Sequence, residues 1–591
     1  MSRHLCNVRE SRQRRSLAFV IFGRFCERRG YKWPMVKEGG MTKRTVLGWV
    51  VFGVVLLVLT GVESCYFLNE ASIVRRYAGL AWIIISASFL LVVAIRAFST
   101  FCKRWFWQDK DRFWYLAAFF LPIALVYVDV AGVTWTRIND EGVQQVAQGL
   151  SLLKQDPDFG IYRLTYFIGF VARQYLLACL PTYFFGPSLV ALRVGTTFVY
   201  LVSYLAFLAA LANYLKVRGA SNPLLLASFA GMMVTLGEYP LVNARLFEQQ
   251  VMPIGATLLF LAGIFNFLIG PTPFRIFWVA WAFGYFAEGY SPALGAWWMA
   301  LFVLLYLILH PKCRHWILGI PLVYGAICLL VACLLLNSAD TLVGRFQIEA
   351  PHFTPSDWLW RYFVGYHTLL SAASSLLPGP LGLAIMAVLY FSCRFRDYRF
   401  PLLCFWCLGI VFVSLTFVGS NFNLPQYNIQ RSMFILPPLA AGVVLFYHVY
   451  SPRLDPSLWA HKTVVLCSCC AMVYMICTSI AIPFTVRNYI FYEDISDYDE
   501  ALYKIDCVNH DPKMQKVKKL YIVPPLRIDN LETGLDYFSP SAVIVRSNPP
   551  PGEKEAGTYL LSYGSDKEED RMYDPIVPSL HPRPYLQLKA E

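Results

Sequence analysis

The chain has 591 residues, of which 57% are hydrophobic and 15% charged. Soluble domains average about 25% charged residues, so this composition excludes an ordinary soluble globule. Much of the net charge of +13 lies in an N-terminal leader and in short loops between apolar runs. This charge distribution indicates membrane topology, and we expect no nucleic-acid partner.

Residues 1–40 differ from the rest of the chain. They hold ten Lys/Arg and three Glu, and their apolar piece, 17–25, is too short to span a bilayer. An apolar helix is expected directly after Met41-Thr42-Lys43-Arg44, which is the pattern of a normal bacterial N-terminus. We expect residues 1–40 to be a basic cytoplasmic leader or to be untranslated.

Residues 41–484 consist of repeated apolar runs. A run of about 20 apolar residues spans the hydrocarbon core, where a helix satisfies its own backbone hydrogen bonds. Short loops rich in Lys and Arg stay cytoplasmic, and the clearest are 103–112, 216–218, 312–314, 394–399 and 453–462, with a weaker one at Arg275. They predict an α-helical polytopic membrane protein with about thirteen transmembrane helices in the inner (plasma) membrane. The approximate helix cores are 46–66, 78–97, 113–133, 189–213, 222–237, 250–269, 275–289, 291–310, 316–337, 375–393, 400–418, 432–450 and 463–484. The N-terminus is then cytoplasmic and the C-terminus outside.

The segment Thr165–Phe185 is apolar enough to cross but contains Arg173 and Gln174 in its middle. Counting it as a span would invert every later basic loop. We therefore expect it to lie along the outer surface, within a first outer loop covering 134–188.

Residues 485–591 predict a small extracytoplasmic α/β domain. Thirteen Lys/Arg face eighteen Asp/Glu there, and about 100 residues suffice for a small domain. Short buried strands are expected at 520–523 and 542–545, a helix or turn around 531–537, and a further strand near 559–561. The Pro-rich end from Tyr573 onward is expected to be extended.

The first outer loop carries two adjacent carboxylates, Asp140 and Glu141, before a stretch with helical spacing. One reading is a helix N-cap, in which Asn139 or Asp140 caps a helix starting at Glu141, worth about 1 kcal/mol. The other is catalysis, since carboxylates at the mouth of a transmembrane helix are costly to place near lipid. The two roles are compatible.

The order of motifs resembles the GT-C superfamily of membrane glycosyltransferases, in particular the protein mannosyltransferase and aminoarabinose transferase branch. The acidic pair is followed by an amphipathic helix, then Phe185-Gly186 and Ala191-Leu192-Arg193. The motifs 243–248 and 431–438 match further elements in order, and the resemblance covers roughly residues 113–450. Arg173-Gln174 stands where a Pro pair is usual, Gln144 or Gln145 replaces a common Tyr, and Glu288 replaces a common Lys.

The resemblance implies a GT-C-like catalytic domain with a polyprenyl-phosphate sugar donor and a lipid, glycan or protein acceptor at the outer surface. Asp140 is the expected general base, and Glu141 is expected to orient the acceptor or a metal. Three arginines, Arg173, Arg245 and Arg431, are candidates to bind the leaving phosphate, or are interfacial arginines that reach toward headgroups. Two acidic residues, Glu248 and Glu288, are cavity-lining candidates. The sequence does not require a divalent cation.

Two other classes of function are alternatives for this sequence. A transporter or flippase of a lipid-linked substrate would place ionisable residues near the bilayer midplane and often shows internal repeats, whereas here the acidic residues gather at outer helix ends. A membrane anchor or assembly factor would predict unremarkable outer loops. The acidic pair favours chemistry at the outer surface over both alternatives, and the resemblance implies that this chemistry is carboxylate-assisted glycosyl transfer with inversion.

Overall fold

The computed structural model describes residues 73–104, 112–128, 130, 140–154, 177–236, 251–270, 436–450, 459–481, 497–528, 531–540, 542–550, 555–563 and 586–590, with isolated positions 241, 244 and several between 272 and 282. These residues all belong to the second of two compact units, Phe52–Glu591. The leader 1–40 and the Met41 start lie outside the described residues.

The helical part is organised around one long helix. The helices are α1 Ile73–Arg104, α2 Arg112–Tyr127, α3 Asp140–Lys154, α4 Cys179–Phe185, α5 Leu189–Val217, α6 Pro223–Thr235, α7 Val251–Ile269, α8 Leu436–Tyr450 and α9 Trp459–Ala481. Helix α5 packs against α1, α2, α4, α6 and α7. Its buried side chains, among them Tyr200, Tyr204 and Phe207, form the middle of the bundle.

Seven of the expected spans coincide with described helices: 78–97 (α1), 113–133 (α2), 189–213 (α5), 222–237 (α6), 250–269 (α7), 432–450 (α8) and 463–484 (α9). Helix α2 ends at Tyr127, earlier than expected. The other expected spans lie wholly or largely outside the described residues. Long apolar runs predict helices well because hydropathy and helix length are properties of local sequence.

Within the described part, one helix, Leu189–Val217, is long and apolar enough to cross a membrane. Shorter apolar helical stretches cover Ser86–Thr100, Phe113–Tyr127, Pro223–Thr235 and Ile254–Ile269. Large apolar side chains are exposed on α1, α2 and α9, for example Leu91, Phe120 and Leu466. Water disfavours such faces and lipid covers them, so they fit helices at a bilayer.

Helices α2 and α5 are joined by side-chain hydrogen bonds inside the apolar bundle. The Tyr204 hydroxyl donates to the Ala118 carbonyl at 2.5 Å, and the Thr197 hydroxyl donates to the Tyr127 hydroxyl at 2.9 Å. Polar groups at such depth need partners within the protein, and these bonds fix the register of α5 against α2.

The C-terminal part contains helices α10 Asp497–His510 and α11 Leu531–Phe538 and strands β1 Lys519–Ile522, β2 Val543–Val545, β3 Thr558–Tyr563 and β4 Leu586–Ala590. The strand order is β2-β1-β3-β4. Strand β1 pairs parallel with β2 and β3, and β4 pairs antiparallel with β3. Helix α11 is the crossover between β1 and β2. The expected strands and the helix near 531–537 are present, whereas α10 and β4 were not anticipated.

A buried ion pair fastens β4 to α10. Glu500 Oε1 lies 3.4 Å from Lys504 Nζ, and neither side chain is exposed. Glu500 accepts a hydrogen bond from the Leu586 N–H at 2.9 Å, and Lys504 donates to the Leu586 carbonyl. Two opposite charges thus satisfy both backbone groups of one residue at the start of β4.

The two ends of α5 differ in character. Helix α4 packs beside its N-terminal part, α3 packs on α4, and α11 packs on α3. Its C-terminal end carries Lys216 and Arg218, with Arg218 over the Tyr214 ring and beside His448 of α8. The C-terminal ends of α5 and α8 therefore lie beside each other.

Candidate functional site

The acidic pair begins a helix. Helix α3 starts at Asp140, one residue before the predicted start, so the backbone of both Asp140 and Glu141 lies in its first turn. The N-terminal end of a helix carries partial positive charge from its free N–H groups, and a carboxylate there is stabilised in its ionised form. Asp140 therefore lies within the helix and is not its N-cap, and Asn139, the other cap candidate, lies outside the described residues. The catalytic role of the pair stays a prediction.

One face of α3 is buried. Val143, Val146, Ala147 and Leu150 are each 6% exposed or less, and their spacing of three, four and seven residues is that of one helix face. This face anchors the helix among α1, α4 and α11, all of which pack against it. The amphipathic helix expected after the acidic pair is therefore present, and its position depends on an element from the C-terminal part.

The Phe-Gly motif forms the link from α4 to α5. Helix α4 ends at Phe185, and Gly186 has φ of +84°, a left-handed conformation that favours glycine. The Gly186 N–H donates to the Thr182 carbonyl at 2.9 Å. Phe184 and Phe185 are exposed. The motif therefore has a local structural cause, which is the sharp change of direction before α5.

The start of α5 is capped twice. The Ser188 hydroxyl accepts from the Ala191 N–H at 3.0 Å, as a typical N-cap does. The Leu189 N–H donates to Asp506 Oδ2 at 3.2 Å, so a carboxylate from α10 satisfies a second free donor at this helix end. Negative charge is favourable at a helix N-terminus, and here a residue of the C-terminal part supplies it.

Arg193, the last residue of the Ala-Leu-Arg motif, is 3% exposed and donates from Nη1 to the Val130 carbonyl at 2.8 Å. Val130 lies just beyond α2, on the segment that leads to Asp140. In this structure Arg193 therefore connects the segment that follows α2 to helix α5.

Tyr537 of α11 makes a further connection at the same place. Its hydroxyl donates to the Ser188 carbonyl at 3.2 Å, and the Thr182 hydroxyl lies 2.8 Å from it as a second hydrogen-bond partner. Tyr537 and Thr182 are each 1% exposed. Burial raises the pKa of the Tyr537 hydroxyl, so it stays protonated and remains a donor.

Asp506 is the buried charge at this contact. Burial raises its pKa to about 6, while His510, the Leu189 N–H and Arg193 act in the opposite direction. Asp506 Oδ1 lies 3.2 Å from His510 Nδ1, and the Asp506 side chain is 15% exposed. The carboxyl therefore changes charge within the physiological pH range.

The five predicted substrate-binding residues, Arg173, Arg245, Glu248, Glu288 and Arg431, lie outside the described residues. The side chains of Asp140 and Glu141 lie outside them as well, although their backbone is described. Within the described residues, no group of three or more His, Cys, Asp or Glu could hold a metal ion.

Sequence reasoning did not single out Ser188, Asp506 or Tyr537. Ser188 carries a usable signal, since a serine directly before a long apolar run is a helix N-cap pattern. Asp506 and Tyr537 carry none, because their partners lie 317 and 355 residues away along the chain.

No family model matches the chain, and no curated protein matches it. The chain is similar to two crystal structures of ArnT from Cupriavidus metallidurans. The apo structure has a TM-score of 0.47 at 12% identity, over 77% of this chain and 94% of that one. The structure bound to undecaprenyl phosphate has a TM-score of 0.47 at 12% identity, over 81% and 98%.

ArnT is an aminoarabinose transferase of the GT-C superfamily, the branch that the sequence motifs resemble.

Proposed function

We propose that the chain is a membrane glycosyltransferase that moves a sugar from a polyprenyl-phosphate donor to an acceptor at the outer face of the membrane. The observation that carries the proposal is the position of Asp140. It begins a helix whose apolar face is buried and which packs on α4, beside the N-terminal part of the long apolar helix α5.

This position suits a carboxylate that acts on a substrate at the membrane surface. The buried face of α3 holds the helix in place, and its first turn carries the acidic pair. A lipid-linked donor keeps its isoprenoid chain in the bilayer and its phosphate at the surface. The sugar is thereby presented at the level where α5 begins.

The reaction needs one carboxylate and cationic partners for phosphate. Asp140 accepts the proton of the acceptor hydroxyl as its oxygen attacks the anomeric carbon. The bond from that carbon to the phosphate oxygen breaks, and polyprenyl phosphate leaves with the electron pair. Attack opposite to the leaving group inverts the configuration. General-base assistance of this kind contributes about 10²–10⁴-fold.

Glu141 orients the acceptor in this proposal, and Arg173, Arg245 and Arg431 neutralise the phosphate. The planar guanidinium of arginine binds two phosphate oxygens at once. Glu248 and Glu288 are proposed to line the substrate cavity. One of the similar ArnT structures is bound to undecaprenyl phosphate, a lipid of the class that leaves in this scheme.

The donor is identified first, in cells that lack the protein. Their lipid extract is expected to accumulate a polyprenyl-phosphate sugar, because its consumer is missing. An extract indistinguishable from that of wild-type cells contradicts the proposal. Movement of this lipid across vesicles containing the purified protein, with no transfer, supports a flippase instead.

Transfer from the accumulated donor is then measured with purified protein in lipid nanodiscs. Asp140→Asn is expected to reduce transfer by about 10²-fold or more while expression and membrane insertion stay at the wild-type level. Glu532→Gln is the matched control, because it neutralises a half-exposed carboxylate whose partner is Arg546. Transfer by Asp140→Asn at the wild-type rate would remove Asp140 from the mechanism.

A further inference from the structure

The segment between α2 and α5, which contains the expected first outer loop, is held at both ends by long-range hydrogen bonds. At its start, the Val130 carbonyl accepts from Arg193 of α5. At its end, the Ser188 carbonyl accepts from Tyr537 and the Leu189 N–H donates to Asp506. A residue of the bundle therefore holds the start of this segment, and two residues of the C-terminal part hold its end.

The same C-terminal helix reaches both the end of this loop and the helix that carries the acidic pair. Tyr537 lies on α11, and α11 packs against α3. Leu531 and Leu535 of α11 are buried. A displacement of α11 would therefore change the position of α3 and of the α4–α5 link together.

We propose that the C-terminal part positions the segment between α2 and α5, with Tyr537 and Asp506 as positioning residues for Asp140. This inference rests on the proposed function, since it assigns a task to contacts around the proposed active site. Neither residue touches the reacting atoms in this scheme. They act by holding α3 and the link before α5 in one arrangement.

The two residues are suited to this role because α5 does not need them to form. Ser188 caps α5 locally, and the Leu192 N–H donates to the Ser188 carbonyl within the helix. Loss of the Tyr537 hydroxyl or the Asp506 carboxylate removes a connection between distant parts and leaves the local cap in place. Their removal is thus expected to loosen the loop and to leave the bundle folded.

The substitutions separate a hydrogen bond from packing. Tyr537→Phe keeps the ring and removes both hydroxyl bonds, and Thr182→Val removes the hydroxyl on the other side. Asp506→Ala removes the acceptor for the Leu189 N–H, whereas Asp506→Asn retains an acceptor oxygen. Tyr563→Phe is the matched control, since its hydroxyl donates to Asp497 within the C-terminal part.

Transfer kinetics are measured for each variant with the donor identified above. Tyr537→Phe and Asp506→Ala are expected to lower kcat by about 10-fold to 100-fold and to change KM for the donor little. Asp506→Asn and Tyr563→Phe are expected to stay near the wild-type rate. In Tyr537→Phe, adding Thr182→Val is expected to have little further effect, because the bond that it removes is already gone.

Hydrogen exchange of residues 140–154 and 177–188 supplies a readout that does not depend on activity. Tyr537→Phe and Asp506→Ala are expected to increase exchange there, while α5 beyond its first turn keeps the wild-type rate. Increased exchange throughout α5 would indicate general destabilisation and overturn the positioning role. Unchanged exchange and unchanged kcat would overturn it as well.

The failures of the two proposals are distinguishable. A wild-type protein that transfers no sugar from any lipid-linked donor overturns the proposed function, and the exchange experiment still decides whether Tyr537 and Asp506 hold the loop. A wild-type protein that transfers sugar, with variants that exchange faster but transfer equally fast, overturns the positioning role alone.

Discussion

The Asp506 carboxylate accepts a hydrogen bond from the backbone N–H of Leu189, 3.2 Å away and 317 residues earlier in the chain. Leu189 is the first residue of the long helix α5, and Asp506 lies on α10 of the C-terminal part. A single carboxylate thus caps the central helix of the bundle and ties the C-terminal part to it.

The contact between Asp506 and Leu189 is expected to depend on pH. A carboxyl whose pKa is about 6 in the folded protein, against about 3.9 when unfolded, binds its proton more tightly when folded. The free energy of unfolding therefore rises as pH falls through about 6, and this gain is complete below the unfolded value. Above about pH 6 the contribution is lost.

Thermal unfolding of the wild type and of Asp506→Asn between pH 4.5 and 7.5 checks this sign. The variant is expected to lose this part of the pH dependence, because its amide does not titrate in that range. His510 and Arg193 face the same carboxyl, so each is also replaced singly. An Asp506→Asn profile parallel to that of the wild type would contradict the assignment.

The packing of α4 on α5 is expected to depend on Gly195. A Cβ at this position would lie 2.6 Å from the Ala178 Cα, inside backbone rather than beside a flexible side chain. Gly195→Ala is therefore expected to force α4 from α5 and to cost about 1–3 kcal/mol. Gly255→Ala is the graded comparison, since its Cβ would meet the Tyr200 Cα at 3.3 Å and the strain is smaller.

Thermal stability in detergent, followed by size-exclusion chromatography, measures both glycine variants. The expected order of Tm is wild type, then Gly255→Ala, then Gly195→Ala. Equal values for the two variants would show that the α4–α5 contact is softer than the structure implies.

A single substitution in the buried pair Glu500–Lys504 is expected to destabilise the C-terminal part strongly. Lys504→Met leaves the Glu500 carboxylate buried without its cation, which costs about 3–5 kcal/mol in such sites. Adding Glu500→Gln removes the uncompensated charge, so the double variant is expected to recover part of the loss. The half-exposed pair Arg546–Glu532 serves as the control, since exposed pairs contribute about 0–1 kcal/mol.

Chemical denaturation of the full-length protein, followed by hydrogen exchange in β3 and β4, measures these variants. Strand β4 is the region where the effect is expected first, because both charges bind the backbone of Leu586. A double variant less stable than Lys504→Met alone would show that Glu500 acts mainly through Leu586 rather than through the pair.

The two ends of the bundle are expected to face opposite sides of the membrane. Lys154, at the end of α3, and Lys216, near the end of α5, are both exposed. In a protein lacking its native cysteines, Lys154→Cys is expected to react with an impermeant maleimide added to intact cells. Lys216→Cys is expected to react after permeabilisation alone. The reverse pattern would invert the topology and place Asp140 on the cytoplasmic side.

Much of the helical architecture could be predicted because its causes are local. A run of apolar residues specifies a helix at a bilayer wherever it occurs, and seven such runs coincide with described helices. The stripe Val143, Val146, Ala147 and Leu150 follows the helical period, so the helix after the acidic pair could be predicted to within one residue of its start. Strands β1, β2 and β3 were visible as short β-branched and aromatic runs for the same reason.

Other elements escaped prediction because their sequence signals oppose their environment. Helix α10 contains buried Asp499, Glu500 and Lys504, and a segment so rich in charge resembles a solvated loop. Strand β4 follows a Pro-rich stretch and forms through its pairing with β3 and with the pair Glu500–Lys504.

The sequence by itself determined the apolar helices, the acidic pair at the start of α3 and the basic loops, because hydropathy, helical period and loop charge are read over neighbouring residues. The tertiary structure alone decided that Asp506 caps α5, that Tyr537 joins Thr182 and Ser188, and that α11 packs on α3. Those contacts join residues hundreds of positions apart, where neither period nor composition constrains the partner. They form because buried donors and acceptors must be satisfied wherever folding brings them together.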